Sequence, residues 1–127
     1  MTVMENPGER GNGQEHQETM VLRDRRQRLP PKEVTARAAR FFRGMADPTR
    51  LRILVALAQE STCVGDLCIL LSMEQSAVSH QLRLLRELRL VSAQRRGRHM
   101  VYSLEDDHVL QLVQGAVAHA SHSPCRG

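Results

Sequence analysis

Residues 62–88 read Thr62-Cys63-Val64-Gly65-Asp66-Leu67-Cys68-Ile69-Leu70-Leu71-Ser72-Met73-Glu74-Gln75-Ser76-Ala77-Val78-Ser79-His80-Gln81-Leu82-Arg83-Leu84-Leu85-Arg86-Glu87-Leu88. Thr62 to Leu71 predicts a short helix, Ser72-Met73 a turn and Glu74 to Leu88 a long helix, which together make a helix-turn-helix candidate. In the second helix Val78, Leu82, Leu85 and Leu88 fall at helical spacing and are expected to face a core. That leaves Gln75, Ser76, Ser79, His80 and Arg83 on the other side, toward the end that enters the major groove in such motifs. Gln pairs bidentately with adenine, Ser hydroxyls reach base edges or phosphates, and Arg reaches a phosphate or guanine. Glu74 stands where a Ser or Thr cap would normally start the helix. Most polar helix faces are merely solvated, so this one gains meaning only from its surroundings.

Downstream, Val91 to Gln94 and His99 to Leu104 read as short strands joined through Arg95-Arg96-Gly97-Arg98, with Gly97 suited to a hairpin turn. Arg95, Arg96 and Arg98 at such a tip suit the minor groove or flanking phosphates. Upstream, Asp47-Pro48 sets a helix start, Asp as N-cap and Pro at the first helical position, with Leu51, Leu54, Val55 and Ala58 as the buried stripe. Lys32 to about Met45 predicts an earlier helix, entered through Leu29-Pro30-Pro31. Residues 1–30 are expected to be a disordered or mobile arm, polar to about Met20 and basic from Arg23 to Arg28. Residues 31–123 form the folded domain and 124–127 a tail. The fold class is mainly α with a small β-hairpin: a winged helix-turn-helix flanked by N- and C-terminal helices, through which two copies would pair. No internal repeat is present.

Composition agrees. The 127-residue chain carries a formal charge of +4 and a pI near 9.6, with Glu5, Glu9, Glu15 and Glu18 early and arginines dominating from Arg23. A basic folded part points to nucleic acid or another polyanion. Phe41, Phe42 and Tyr102 are the only aromatic residues, too few for stacking platforms that hold single strands, so duplex DNA is the expected partner. No run reaches the apolar length of a membrane span and the polar start lacks a signal-peptide core, so a cytoplasmic protein is expected. Cys63, Cys68 and Cys125 do not read as a disulfide framework.

The last helical segment, Glu105 to His122, adds a second chemistry. His108, Leu112, Gly115, His119 and His122 are spaced alternately four and three apart and form one stripe. His108 and His119 lie roughly 16 Å apart along a helix axis, too far to share an ion bound at about 2 Å from each ligand. Two copies crossing antiparallel bring Asp106 and His108 of one chain to His119 and His122 of the other, twice by symmetry. Leu112 then packs where the partner helix has Gly115. Histidines on such helices are also common as plain solvated groups, so the matched pairs carry the metal reading.

With these residues in view, Phe41 to His122 resembles the ArsR/SmtB family of metal-sensing winged-helix repressors. The matching pieces are Met45-Ala46-Asp47-Pro48-Thr49-Arg50-Leu51-Arg52-Ile53-Leu54, Cys63-Val64-Gly65-Asp66-Leu67, Ser76-Ala77-Val78-Ser79-His80-Gln81-Leu82-Arg83-Leu84-Leu85 and Gly97-Arg98-His99-Met100-Val101-Tyr102-Ser103-Leu104. The Asp-x-His and His-x-x-His pairs are similar to the zinc-type subgroup and map onto Asp106, His108, His119 and His122. The resemblance implies a metal-free dimer that represses at an imperfectly palindromic operator and a metal-bound form that lets go, turning on efflux or sequestration genes. Some members add a thiolate site; here Gly65 replaces its second Cys and the arm has none, leaving Cys63 as an accessory metal or redox candidate, with His16 a lone arm histidine. Three imidazoles and one carboxylate suit Zn(II), with Co(II) as surrogate. Four protein ligands leave no open position for a reactive water, so no enzyme is expected. Two alternatives stand beside this: a repressor of the same fold switched by Cys63, Cys68 or Cys125 oxidation, and a zinc-storage or scavenging protein whose basic face is incidental.

Overall fold

The computed structural model describes residues 19–122; the first eighteen residues and the tail, with His16 and Cys125, lie outside them. The chain divides into two units at Thr35 and Ala36. In the first, helix α1 (Met20–Gln27) starts at Thr19, whose Oγ1 accepts the Leu22 N–H at 3.1 Å. The sequence predicts no element there, because Met20, Val21 and Leu22 sit together at one end and recur nowhere along the basic run. All three side chains are exposed.

Helix α2 (Lys32–Met45) occupies the expected span. Helix α3 (Pro48–Gln59) begins as anticipated: Asp47 Oδ2 accepts the Arg50 N–H at 3.0 Å and Pro48 opens the helix. Its buried face differs. Ile53, Leu54, Ala56 and Leu57 are buried, while Leu51, Val55 and Ala58 are only partly covered. The reason is tertiary: α3 packs against three later elements at once and so buries more than one stripe.

The short helix starts two residues late. Thr62 and Cys63 form strand β1, paired antiparallel with Tyr102 and Val101 of β3 (His99–Leu104). Cys63 is extended and a β-branched residue precedes it, which suits a sheet edge better than a helix. Helix α4 (Val64–Leu71) and helix α5 (Gln75–Glu87) follow. Strand β2 (Val91–Arg96) and β3 form a ribbon in a three-stranded sheet ordered β1-β3-β2. Arg96 pairs with His99, so the turn holds only Gly97 and Arg98; Gly97 takes φ +64° at the first turn position, as type II′ hairpin turns require. Helix α6 (Asp107–His122) is the last element of the described residues and packs on α3, with Val109 and Val113 buried. The core unites these with Leu67 and Leu71 of α4, Val78, Leu82 and Leu85 of α5, and Leu90 and Val91. This is a winged helix-turn-helix.

Both helices of the motif end alike. After α4, Ser72 N–H reaches Ile69 O and Met73 N–H reaches Cys68 O; after α5, Arg89 N–H reaches Arg86 O and Leu90 N–H reaches Leu85 O. Ser72 and Arg89 take φ +54° and +62°, the left-handed conformation this cap demands. A non-glycine residue there costs about 1–2 kcal/mol. Glycine removes that strain but loses more freedom on folding, about 0.5–1 kcal/mol. Arg89→Gly is therefore expected to raise stability by about 0.5–1 kcal/mol in denaturant melts, and unchanged or lower stability would show that the arginine side chain is held in place.

Candidate functional site

Helix α5 separates its faces as its spacing dictates. Val78, Leu82 and Leu85 are buried, while Gln75, Ser76, Ser79, His80 and Arg83 are all exposed. At about 100° per residue these five share an arc of roughly 140°. Arg86 and Glu87, which are not among the residues expected from sequence, fall within the same arc and are exposed. Glu74 makes no side-chain cap bond, so the α5 N-terminus keeps amide donors facing outward. Such donors favour phosphate oxygens. The side-chain oxygen Oε1 of Gln81 is buried with no hydrogen-bond partner among the described residues.

The wing departs from expectation in one respect. Arg95 and Arg96 lie in β2 rather than at the tip, so the pleat sends them to opposite faces, and only Arg98 is in the turn. Arg96 lines a pocket of about 400 Å³ with Glu60, Cys63, Asp66 and His99. It therefore sits among acidic neighbours, whereas Arg95 is on the other side of the ribbon. Cys63, the accessory candidate, is a half-covered free thiol in that pocket. Asp66, three residues on from Cys63, and His99 line it too, and it is the β1–β3 pairing that brings His99 near.

On α6 the stripe is outward. His108, Leu112, Gly115, His119 and His122 span about 80° of arc, centred roughly 120° from Val109 and Val113, and every one of the five is exposed. A Cβ added at Gly115 would meet nothing within 4 Å, and Leu112 is 40% exposed. Asp106 is tied to the helix start: Oδ1 accepts the Val109 N–H at 3.1 Å, and Oδ2 lies 3.6 Å from His108 Nδ1. The Val109 N–H, with a smaller contribution from His108, holds the Asp106 carboxyl below the ordinary carboxylate range. At neutral pH it is an anion beside an imidazole, with one oxygen uncommitted to the cap. Among the described residues no three His, Cys, Asp or Glu side chains of one chain come together closely enough to hold a metal ion.

Residues 47–93 match the model of the bacterial regulatory protein arsR family. The chain is 48% identical over 85 residues to a transcriptional repressor SmtB homolog of Synechocystis, covering 67% of this chain and 64% of that protein, just under two thirds of its length. It is 48% identical over 90 residues to the transcriptional regulator NmtR of Mycobacterium tuberculosis, covering 71% and 75%. Among solved structures it is similar to the homodimeric winged helix-turn-helix DNA-binding domain of a possible ArsR-family regulator of Mycobacterium bovis. There the TM-score is 0.65 and the identity 27%, over 76% of this chain and 93% of that one.

Proposed function

Because this chain belongs to the arsR family of bacterial regulatory proteins, we propose that it is a homodimeric repressor that binds operator DNA and leaves it when Zn(II) binds between its C-terminal helices. The observation that carries the metal half lies on α6: His108, His119 and His122 are exposed on one face, Asp106 sits beside His108 at the helix start, and no third donor is within reach of either pair on the same chain among the described residues. The pairs complete a four-donor set only when a second copy supplies the other half. Open space at Gly115 and the half-exposed Leu112 fit that crossing. A homodimeric neighbour of the same fold supports a dimer here.

The donor set fits the ion. His108, His119 and His122 offer imidazole nitrogens, and Asp106 offers the carboxylate oxygen left by its cap. Bound there, the metal supplies charge and fixed ligand directions, with Co(II) expected to report as a surrogate. The protein's part is to convert this into a change at the DNA face. A ligand imidazole keeps one ring N–H, and on His119 that group would be the donor to the backbone near Arg89, which takes φ +62° at the junction between α5 and the wing. Holding that junction fixes the spacing of the two recognition helices, and a spacing that misses successive major grooves weakens binding.

The test is an anisotropy titration of the full-length dimer on its own upstream promoter fragment at fixed salt, with chelator and then with Zn(II). Tight chelated binding weakened by about tenfold or more is expected, within the usual range of allosteric coupling. Specific binding indifferent to zinc would remove the zinc half and keep the repressor. Absence of any specific complex would favour storage.

A further inference from the structure

A second cleft lies away from the α6 stripe, at the C-terminal end of α5 beyond the turns that carry Gln75 to Arg83. It measures about 340 Å³ and is lined by Arg40, Arg43 and Gly44 of α2, Arg50 of α3, and Leu84, Glu87 and Leu88 of α5. Its floor is apolar and its rim is basic, three guanidinium groups against the single carboxylate of Glu87. Arg50 is the informative member. It is partly buried, and its Nε donates to the Gly44 carbonyl at 2.7 Å. That bond fixes the plane of the guanidinium and leaves its Nη donors with no partner among the described residues, a fork shaped for a carboxylate. Desolvating a cation without a counter-ion is unfavourable unless something anionic completes it.

The cleft's depth depends on glycine at position 44. A Cβ there would come within 2.3 Å of Leu88 Cδ1 and 3.3 Å of Leu90 Cδ1. The leucine that forms the floor lies directly against the glycine backbone, so the Gly44 carbonyl holding Arg50 and the apolar surface of Leu88 belong to one built corner. Arg40 and Arg43 are exposed above it. On α2 the exposed Phe42 points about 160° away from Arg40, so a partner covering Phe42 leaves the cleft open.

We propose that this cleft is a ligand site for a small organic carboxylate with an apolar body, the head held by Arg50 with Arg40 and Arg43, and the body lying on Leu84 and Leu88. The volume is within the range of small-molecule pockets, toward its lower end. The site joins α2, α3 and the end of the recognition helix, so its occupant would bear on DNA binding separately from any metal.

The experiment titrates the full-length dimer with decanoate, below its micelle concentration, and records amide and arginine Nε–H resonances. Decanol serves as the uncharged control. Shifts confined to Gly44, Arg50, Leu84 and Leu88 are expected. Affinity should fall about tenfold or more for decanol and for Arg40→Ala/Arg43→Ala, each removing a charge-assisted interaction. The double variant changes only exposed side chains, so its melting temperature should match the parent. Absence of shifts, equal binding of decanol, or undiminished binding by the double variant would each overturn the proposal. So would a result in which these resonances respond to duplex DNA but not to decanoate, since the arginines would then be phosphate contacts.

Discussion

Mixing a chain carrying Asp106→Asn and His108→Gln with one carrying His119→Gln and His122→Gln is expected to restore zinc binding that neither variant shows alone. In the antiparallel crossing each site takes Asp106 and His108 from one copy and His119 and His122 from the other. Each variant homodimer lacks half of both sites. In the mixed dimer the intact halves meet once and the damaged halves meet once, giving about one ion per dimer against about two for the parent. Zinc-driven release from the operator, about tenfold or more in the parent, should vanish in both homodimers and return in part in the mixture. Asn is chosen at 106 because the carboxylate also caps α6 through the Val109 N–H, and Asn caps about as well as Asp, whereas Ala would cost about 0.5–2 kcal/mol of helix stability. Equilibrium dialysis of tandem-tagged mixed dimers reads the stoichiometry. If the mixture bound no more than its parents, the donors would come from one chain or from elsewhere. If the Asp106→Asn/His108→Gln homodimer kept full zinc affinity, that pair would not be ligands at all.

What could be read from sequence here was what depends on near neighbours in the chain. The α5 stripe of Val78, Leu82 and Leu85 and the Asp47-Pro48 start emerged because period and capping are local rules. The face of Gln75, Ser76, Ser79, His80 and Arg83 was legible for the same reason. What failed needed distant partners. Thr62-Cys63 became a strand because Tyr102 and Val101, some forty residues on, were there to pair with. The α3 stripe was wrong in detail because three neighbours share that helix. The wing arginines were legible as a basic tip but not as two faces, since pairing of Arg95 with Met100 and Arg96 with His99 decides where the strand ends. The α6 histidines stand at an intermediate point: their shared face is local, whereas the proposed four-donor site depends on a second molecule.

The helix and the wing should fail in different ways when altered, and the contrast tests their division of labour on DNA. Gln75→Ala/Ser79→Ala removes two exposed groups from the first turns of α5, where the proposed reading of base edges takes place. A well-placed side chain on a base edge is worth about 1–3 kcal/mol of discrimination, so operator affinity should fall about tenfold to a few hundredfold. Binding to unrelated duplex should be nearly unchanged, and so should the salt slope. Arg95→Ala/Arg98→Ala should instead weaken operator and unrelated DNA alike. Every phosphate that goes unneutralised reduces the slope of log affinity against log salt by about 0.9, so removing two arginines from each wing of a dimer changes it by about 3.6. Arg96→Ala belongs to neither class: its side chain shares a pocket with Glu60 and Asp66, and its removal should move the slope least. Binding measured across a range of salt on both duplexes separates the three. A selective loss of operator binding in Arg95→Ala/Arg98→Ala would place these arginines in the minor groove reading sequence or width rather than along the phosphates. An unchanged operator preference in Gln75→Ala/Ser79→Ala would move base reading further along the helix, to His80, Arg83 and Arg86.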